Sequence, residues 1–168
     1  MIKLTGIIIL FLSARLFYEN YMDKTENGIK KAEEMILFCD LMYVNVMELK
    51  MPVMESAEAL KFKISPFIDD FTDKFIKRCK EKPEALIREN LAGQLSKTVI
   101  DKKIKRELNR FFKVLGDLDK ETVLNYKKAS LKNCEAYLTD FKKESQKKRK
   151  TAGAICGGVS ALLAIILI

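Results

Sequence analysis

Glu33-Glu34 and Asp69-Asp70 are the pairs in this chain whose types and spacing come nearest to acid/base machinery, because two neighbouring carboxylates can divide into proton donor and proton acceptor. Adjacent residues on a helix do not face each other, however, and both pairs fall on the polar side of amphipathic segments, so we expect solvated charges. The chain has no His and no Trp, which removes imidazole catalysis and the commonest metal ligand. Four cysteines, Cys39, Cys79, Cys134 and Cys156, stand far apart with no C-x-x-C spacing. Three lie on predicted apolar helix faces and the fourth in a terminal apolar run, which suits buried, reduced thiols better than disulfides or a metal site. No Gly-rich phosphate loop occurs. Catalytic residues, cofactors and metals are therefore not expected.

The remaining candidates for function are cationic. Lys142, Lys143, Lys147, Lys148, Arg149 and Lys150 form a collar interrupted by a single acidic residue, Glu144. Much of the formal charge of +8 sits there, and the rest of the chain is only mildly basic. Nucleic-acid grooves interleave cations with aromatic stacking surfaces. The collar has none, so no specific nucleic acid is expected, and contact with anionic lipid, at about 1 kcal/mol per basic residue, explains it more simply.

What lies beyond the collar says why it is there. From Thr151 to Ile168 there is no Asp, Glu, Lys or Arg, and a helix of that length rises about 27 Å against a hydrocarbon core of about 30 Å. We read 151–168 as a C-terminal transmembrane helix, and the collar then orients it, since clustered Lys and Arg stay on the cytoplasmic side. Gly153 and Gly157 make a G-x-x-x-G, extended by Gly158, which suits close pairing with the first segment or with another subunit, a homo-oligomer included. At the other end, Leu4 to Tyr18 is apolar except for Arg15, whose stem can snorkel to the headgroups. Residues 1–18 read as an uncleaved anchor that spans or lies in the interface, and residues 19–150 as a cytoplasmic bundle ending in the collar.

Helical spacing runs through that middle region. Asn27-Gly28 reads as a break. Ile29 then opens a stripe of Ala32, Ile36, Cys39, Tyr43 and Val46, joined by Met35, Met42 and Leu49, with Pro52 as its stop. A short piece carries Val53, Ala57 and Leu60. Ser65-Pro66 starts the next helix, with Phe67, Phe71, Phe75 and Cys79 on one face. Pro83 and Gly93 bracket a short helix. From Ser96 the apolar positions are Ile100, Ile104, Leu108, Phe111, Phe112 and Leu115, with Gly116 as a left-handed C-cap. Asp119 caps the last helix, whose Val123, Tyr126, Leu131, Cys134, Tyr137, Leu138 and Phe141 keep one side apolar. The fold class is all-α: a bundle of about five or six helices flanked by membrane helices.

This layout, together with Phe112, Leu115, Gly116 and Asp119 ahead of a basic stretch and a terminal apolar run, resembles stage III sporulation protein AB of endospore-forming Firmicutes. Val123 stands where the family tends to carry Gln, and Asn45, Glu48 and Met51 where it tends to carry Glu, Tyr and Thr. The resemblance implies a non-enzymatic membrane part of the channel complex between mother cell and forespore, similar to the inner-membrane platform protein F of type II secretion systems. It also implies a place on the mother-cell side of the outer forespore membrane, other channel subunits as partners, and a secretion-type ATPase as a target. Two other classes stay open from the residues alone. A membrane-tethered module would bind anionic lipid or nucleic acid through the collar, and a membrane enzyme would need polar groups converging in a pocket.

Overall fold

The structure, a computed structural model, describes residues 2–83, 85–115 and 119–167; within the two end helices the side chains of 2–5, 7–11, 14, 17, 21, 156, 157 and 159–167 fall outside the description. The described residues form six α-helices and a π-helical turn, with no strand: α1 (Ile2–Tyr43), the turn Val44–Glu48, α2 (Val53–Ala59), α3 (Pro66–Glu81), α4 (Ile87–Ser96), α5 (Lys102–Val114) and α6 (Lys120–Leu167). By the density of their contacts they divide into two units, 28–139 and the paired chain ends 1–27 with 140–168.

Short polar side chains set the starts of α3, α5 and α6. Ser65 is extended, and its hydroxyl accepts from the Ile68 N–H at 3.4 Å, with Pro66 at the first helical position. The same hydroxyl donates to Glu34 Oε2 at 2.8 Å, tying the start of α3 to α1. Asp101 caps α5 through the N–H groups of Lys103 at 2.7 Å and Ile104 at 3.4 Å. Asp119 caps α6 through the Thr122 N–H at 2.9 Å. Each cap satisfies donors that the first turn of a helix leaves without a partner.

The apolar faces then meet in one core. Met35, Phe38, Cys39, Met42 and Tyr43 of α1 pack with Ile68, Phe71 and Phe75 of α3, and with Ile104, Leu108, Phe111 and Phe112 of α5. Leu91 and Leu95 of α4 and Val123, Cys134 and Leu138 of α6 complete it. Phe38 meets Phe71 edge-on at 5.7 Å, the arrangement that ring quadrupoles favour. Where α1 and α6 pack, Lys127 reaches across to Asp40 at 2.6 Å, and its ammonium lies 4.3 Å from the centre of the Tyr43 ring.

Several sequence expectations need correction. Asn27-Gly28 does not break α1, which runs through it. A Cβ on Gly28 would meet nothing within 4 Å, so no turn or close approach claims this glycine, and its helical penalty of about 1 kcal/mol is small. The first core helix leaves regular geometry at Tyr43, well before Pro52, and passes through the π turn, closed by Leu49 N–H to Val44 C=O at 3.0 Å. The wider turn shifts the register, which is why Leu49, expected on the buried stripe, is 64% exposed. Lys50 follows at φ 56°, and Pro52 is instead the residue that opens α2.

Pro83 does not open α4, which starts at Ile87 after an extended Leu86 whose carbonyl accepts from Asn90 N–H at 3.1 Å. Gly93 does not close that helix but lies inside it, and Ser96 ends it and does not begin the next. Tyr126 is exposed, because the buried line on α6 runs Val123, Ser130, Cys134, Leu138 and leaves Tyr126 to one side. Gly116 lies outside the described residues.

The unit of chain ends places Tyr18 and Glu26 of α1 beside Arg149 of α6. The Tyr18 hydroxyl donates to the Arg149 carbonyl at 3.3 Å, and the Arg149 guanidinium lies 3.7 Å from Glu26 Oε1. Met22 and Ser145 are buried. Among the described residues no helix is long and apolar enough to cross a membrane. The expected anchors at 1–18 and 151–168 fall mostly on side chains outside the description.

Candidate functional site

The collar is a stretch of α6 with a buried edge and an exposed circumference. Lys142, Lys143, Lys147, Lys148, Arg149 and Lys150 are all exposed, whereas Ser145 is buried. A helical repeat of 3.6 residues spreads these cations round most of the cylinder and leaves the edge through Ser145 free of them. Lys148 pairs with Glu144 at 2.8 Å, one turn back on the same helix. Such exposed pairs contribute about 0 to 1 kcal/mol, which leaves the collar able to exchange its internal partners for an anionic surface. Gly153 and Gly158, expected to pack against another helix, face open space in this chain, since a Cβ on either would meet nothing within 4 Å. The surroundings of Gly157 lie outside the described residues.

The turn ahead of α6 is divided between core and surface. Phe112 and Leu115 are buried, and with Val53, Leu86, Ile87, Leu91 and one charged neighbour, Arg88, they line a hollow of about 270 Å³. Asp119 is exposed, and its hydrogen bonds from the Thr122 hydroxyl and backbone N–H hold its carboxyl below the usual carboxylate range.

Two arrangements escaped the sequence reading. The first is Glu107, whose side chain is only 2% exposed. Arg110 Nη1 donates to both its oxygens at 3.2 Å, Arg106 Nε lies 3.4 Å away, and the Asn133 amide of α6 donates at 3.2 Å. Burial pushes the Glu107 carboxyl up, but the Asn133 hydrogen bond and the two guanidinium charges outweigh it and hold the group below its ordinary range. Next to it, burial and the Glu107 charge push the Cys134 thiol up to about 12. The signal was present: Glu107 lies three residues after Ile104 and four before Phe111, on the apolar stripe of α5.

The second is a cleft of about 680 Å³ between α1, α3 and α4. Its organising side chain is Arg78, half-buried near the end of α3. Arg78 Nε donates to Asn90 Oδ1 at 3.3 Å, and the amide of the same Asn90 donates to the Lys82 carbonyl at 3.4 Å. The guanidinium rests against α4 at Gly93, where a Cβ would come within 2.5 Å of Arg78 Nη2. The glycine that read as a helix terminator is therefore the place where α4 makes room for a cation from α3. Lys31, Lys74, Lys77, Lys82 and Lys97 also line the cleft, against Asp70 and Glu81.

As to chemistry, Glu33 is exposed, Glu34 is tied to Ser65, Asp70 pairs with Lys74 at 2.6 Å, and Asp69 accepts from the Phe62 N–H at 2.7 Å. The expected carboxylate pairs thus serve as surface charge and loop fasteners. Cys39, Cys79 and Cys134 are free and buried; Cys156 lies outside the described side chains. Among the described residues no three His, Cys, Asp or Glu side chains are placed to hold a metal ion.

Comparison with known proteins gives one result. The family model for stage III sporulation protein AB matches residues 3–168. No curated protein and no solved structure matches the chain. A match over nearly the full length, on an all-α chain with the turn and collar already described, means that this chain belongs to the stage III sporulation protein AB family and that its role lies in sporulation.

Proposed function

We propose that the chain is a non-enzymatic membrane platform of the channel complex between mother cell and forespore. In this reading both apolar ends are held in the bilayer, and unit 28–139 is presented in the mother-cell cytoplasm to other channel subunits and a secretion-type ATPase. The observation that carries it is the family match over residues 3–168. Two features of the chain support the membrane part. The exposed cations of the collar immediately precede a stretch with no Asp, Glu, Lys or Arg, which is the arrangement that fixes topology. The Tyr18 and Glu26 contacts to Arg149 bring the two chain ends side by side at the level of the collar.

A protein that works by holding its partners needs exposed charge and apolar surface more than a polar pocket, and several weak contacts repeated in an array multiply affinity by about 10² to 10⁴. The test is co-purification of the full chain, in detergent, from sporulating cells. Recovery of the ATPase and other channel subunits, lost when exposed charges on the bundle are reversed, is the expected result. Wild-type recovery with every reversal, together with loss of sporulation on substituting a buried carboxylate in a domain that stays folded, overturns the platform in favour of an enzyme.

A second reading is favoured by the collar alone: contact of Lys142 to Lys150 with anionic lipid. It is compatible with the first. Binding to phosphatidylserine vesicles that does not change when the collar lysines become Gln would remove it.

A further inference from the structure

We propose that the basic cleft between α1, α3 and α4 receives an acidic amphipathic helix of a protein partner. This rests on the platform reading only in that the partner is a protein.

Among the described residues the charge count within the cleft is uneven. Asp70 is taken by Lys74 at 2.6 Å and Glu81 by Lys77 at 3.8 Å. Lys31, Arg78, Lys82 and Lys97 remain, contributed by α1, α3 and the residues that end α3 and α4. The C-terminal dipoles of α3 and α4 offset this by roughly half a charge each, well short of four cations. Arg78 is also pre-positioned, since Asn90 and the bare backbone of Gly93 hold its guanidinium, so little side-chain freedom is lost when it meets a carboxylate.

The rest of the lining selects the class of ligand. Phe67, Phe71 and Val99 supply an apolar component, and Val99 is 77% exposed. Small-molecule pockets are mostly apolar with a few polar groups, which is the reverse of this lining. Single-stranded nucleic acid needs aromatic faces for its bases, yet Lys31 Nζ sits over the Phe67 ring at 5.6 Å from its centre and occupies that face. A helix that carries Glu or Asp along one edge and Leu or Ile at i, i+3, i+4 and i+7 satisfies both halves of the cleft. Charge pairing across such an exposed rim is screened within about 8 Å at physiological salt, so binding should weaken steeply as salt rises.

The test uses the full chain in detergent and, as probe, a fluorescein-labelled helix of about five turns with Leu at those positions and Glu elsewhere on one face. Fluorescence anisotropy should show saturable binding that a Glu-to-Gln version of the probe lacks. Lys82→Glu with Lys97→Glu should weaken it tenfold or more, and Val99→Ser severalfold, with the melting temperature unchanged in each. Absence of binding, equal binding by the Gln probe, or wild-type affinity in the Lys82→Glu, Lys97→Glu variant would falsify the proposal. Displacement of the probe by oligo-dT or by inorganic phosphate at comparable concentration would reassign the cleft to nucleic acid or to a small anion. Failure here, with the ATPase still co-purifying with the wild-type chain, leaves the platform reading intact. Probe binding as expected, with no channel subunit recovered from cells, overturns that reading and not this one.

Discussion

Removing Glu107 separates two effects that the core combines, because the same side chain fills space on α5 and neutralises Arg106 and Arg110. Both guanidiniums are more than half exposed and fall back on water when the carboxylate is lost, so the cost is less than that of orphaning a buried charge. We expect Glu107→Gln to lower stability by about 1 to 3 kcal/mol at neutral pH. The sign with pH follows from a folded-state carboxyl held below its ordinary range. Its contribution is complete above the ordinary glutamate range and is lost as pH falls through the lowered folded-state value. Thermal melts should therefore show wild type and Glu107→Gln converging in acid, and a constant gap down to pH 3 would contradict the charge assignment. Gly93→Ala tests a different residue-scale claim. The clash is with the tip of a flexible side chain and alanine gains helix propensity, so stability should change by no more than about 1 kcal/mol. The Arg78 guanidinium should nevertheless leave Asn90, visible as a shift of its Nε–H resonance.

At the scale of elements, the starts of α3 and α6 were legible, while those of α4 and α5 and most helix ends were not. Ser65-Pro66 and Asp119 act through their own side chains and nearest neighbours, so local chemistry announces them, and the α5 stripe follows from spacing alone. Gly28 and Gly93 carry the same local signal yet mean different things. Open space surrounds one and a guanidinium the other, and only the packed structure tells them apart. The π turn likewise left no mark in the hydrophobic spacing, and it carried Leu49 off the stripe. The collar could be read as a run of charge. The cleft could not, because its cations come from distant parts of the sequence and meet only after folding. Asp101, a cap overlooked because Ser96 seemed to serve, gives a direct check: Asp101→Ala should cost about 1 kcal/mol through the two N–H groups it leaves without a partner. An unchanged melting temperature would show that water replaces the cap at no loss.

For the whole molecule the consequential claim is orientation. On the proposed topology, which keeps the collar in the cytoplasm, a cysteine introduced at Lys147 should resist a membrane-impermeant thiol reagent in intact cells, and one added after Ile168 should react. The opposite pattern would place unit 28–139 on the wrong side for any cytoplasmic ATPase. Exchanging Lys148, Arg149 and Lys150 for Gln should scramble this pattern without unfolding the bundle, since all three are exposed. With Cys156 replaced by Ser, the three buried native thiols provide a clock for how the bundle comes apart. Cys39 is pushed up chiefly by burial, as is Cys134, to about 12, so in the closed protein neither offers a reactive thiolate. Each can be modified only during an opening, and the labelling rate then counts openings. Cys79, in the last turn of α3, sits where helices fray and should be modified first. Cys39 of α1 and Cys134 of α6 share one core and should be modified together, far later, with the rate of global unfolding. A mass spectrometer sampling a chain with Cys156→Ser over hours would read the order of events directly, as one early mass step and one late double step.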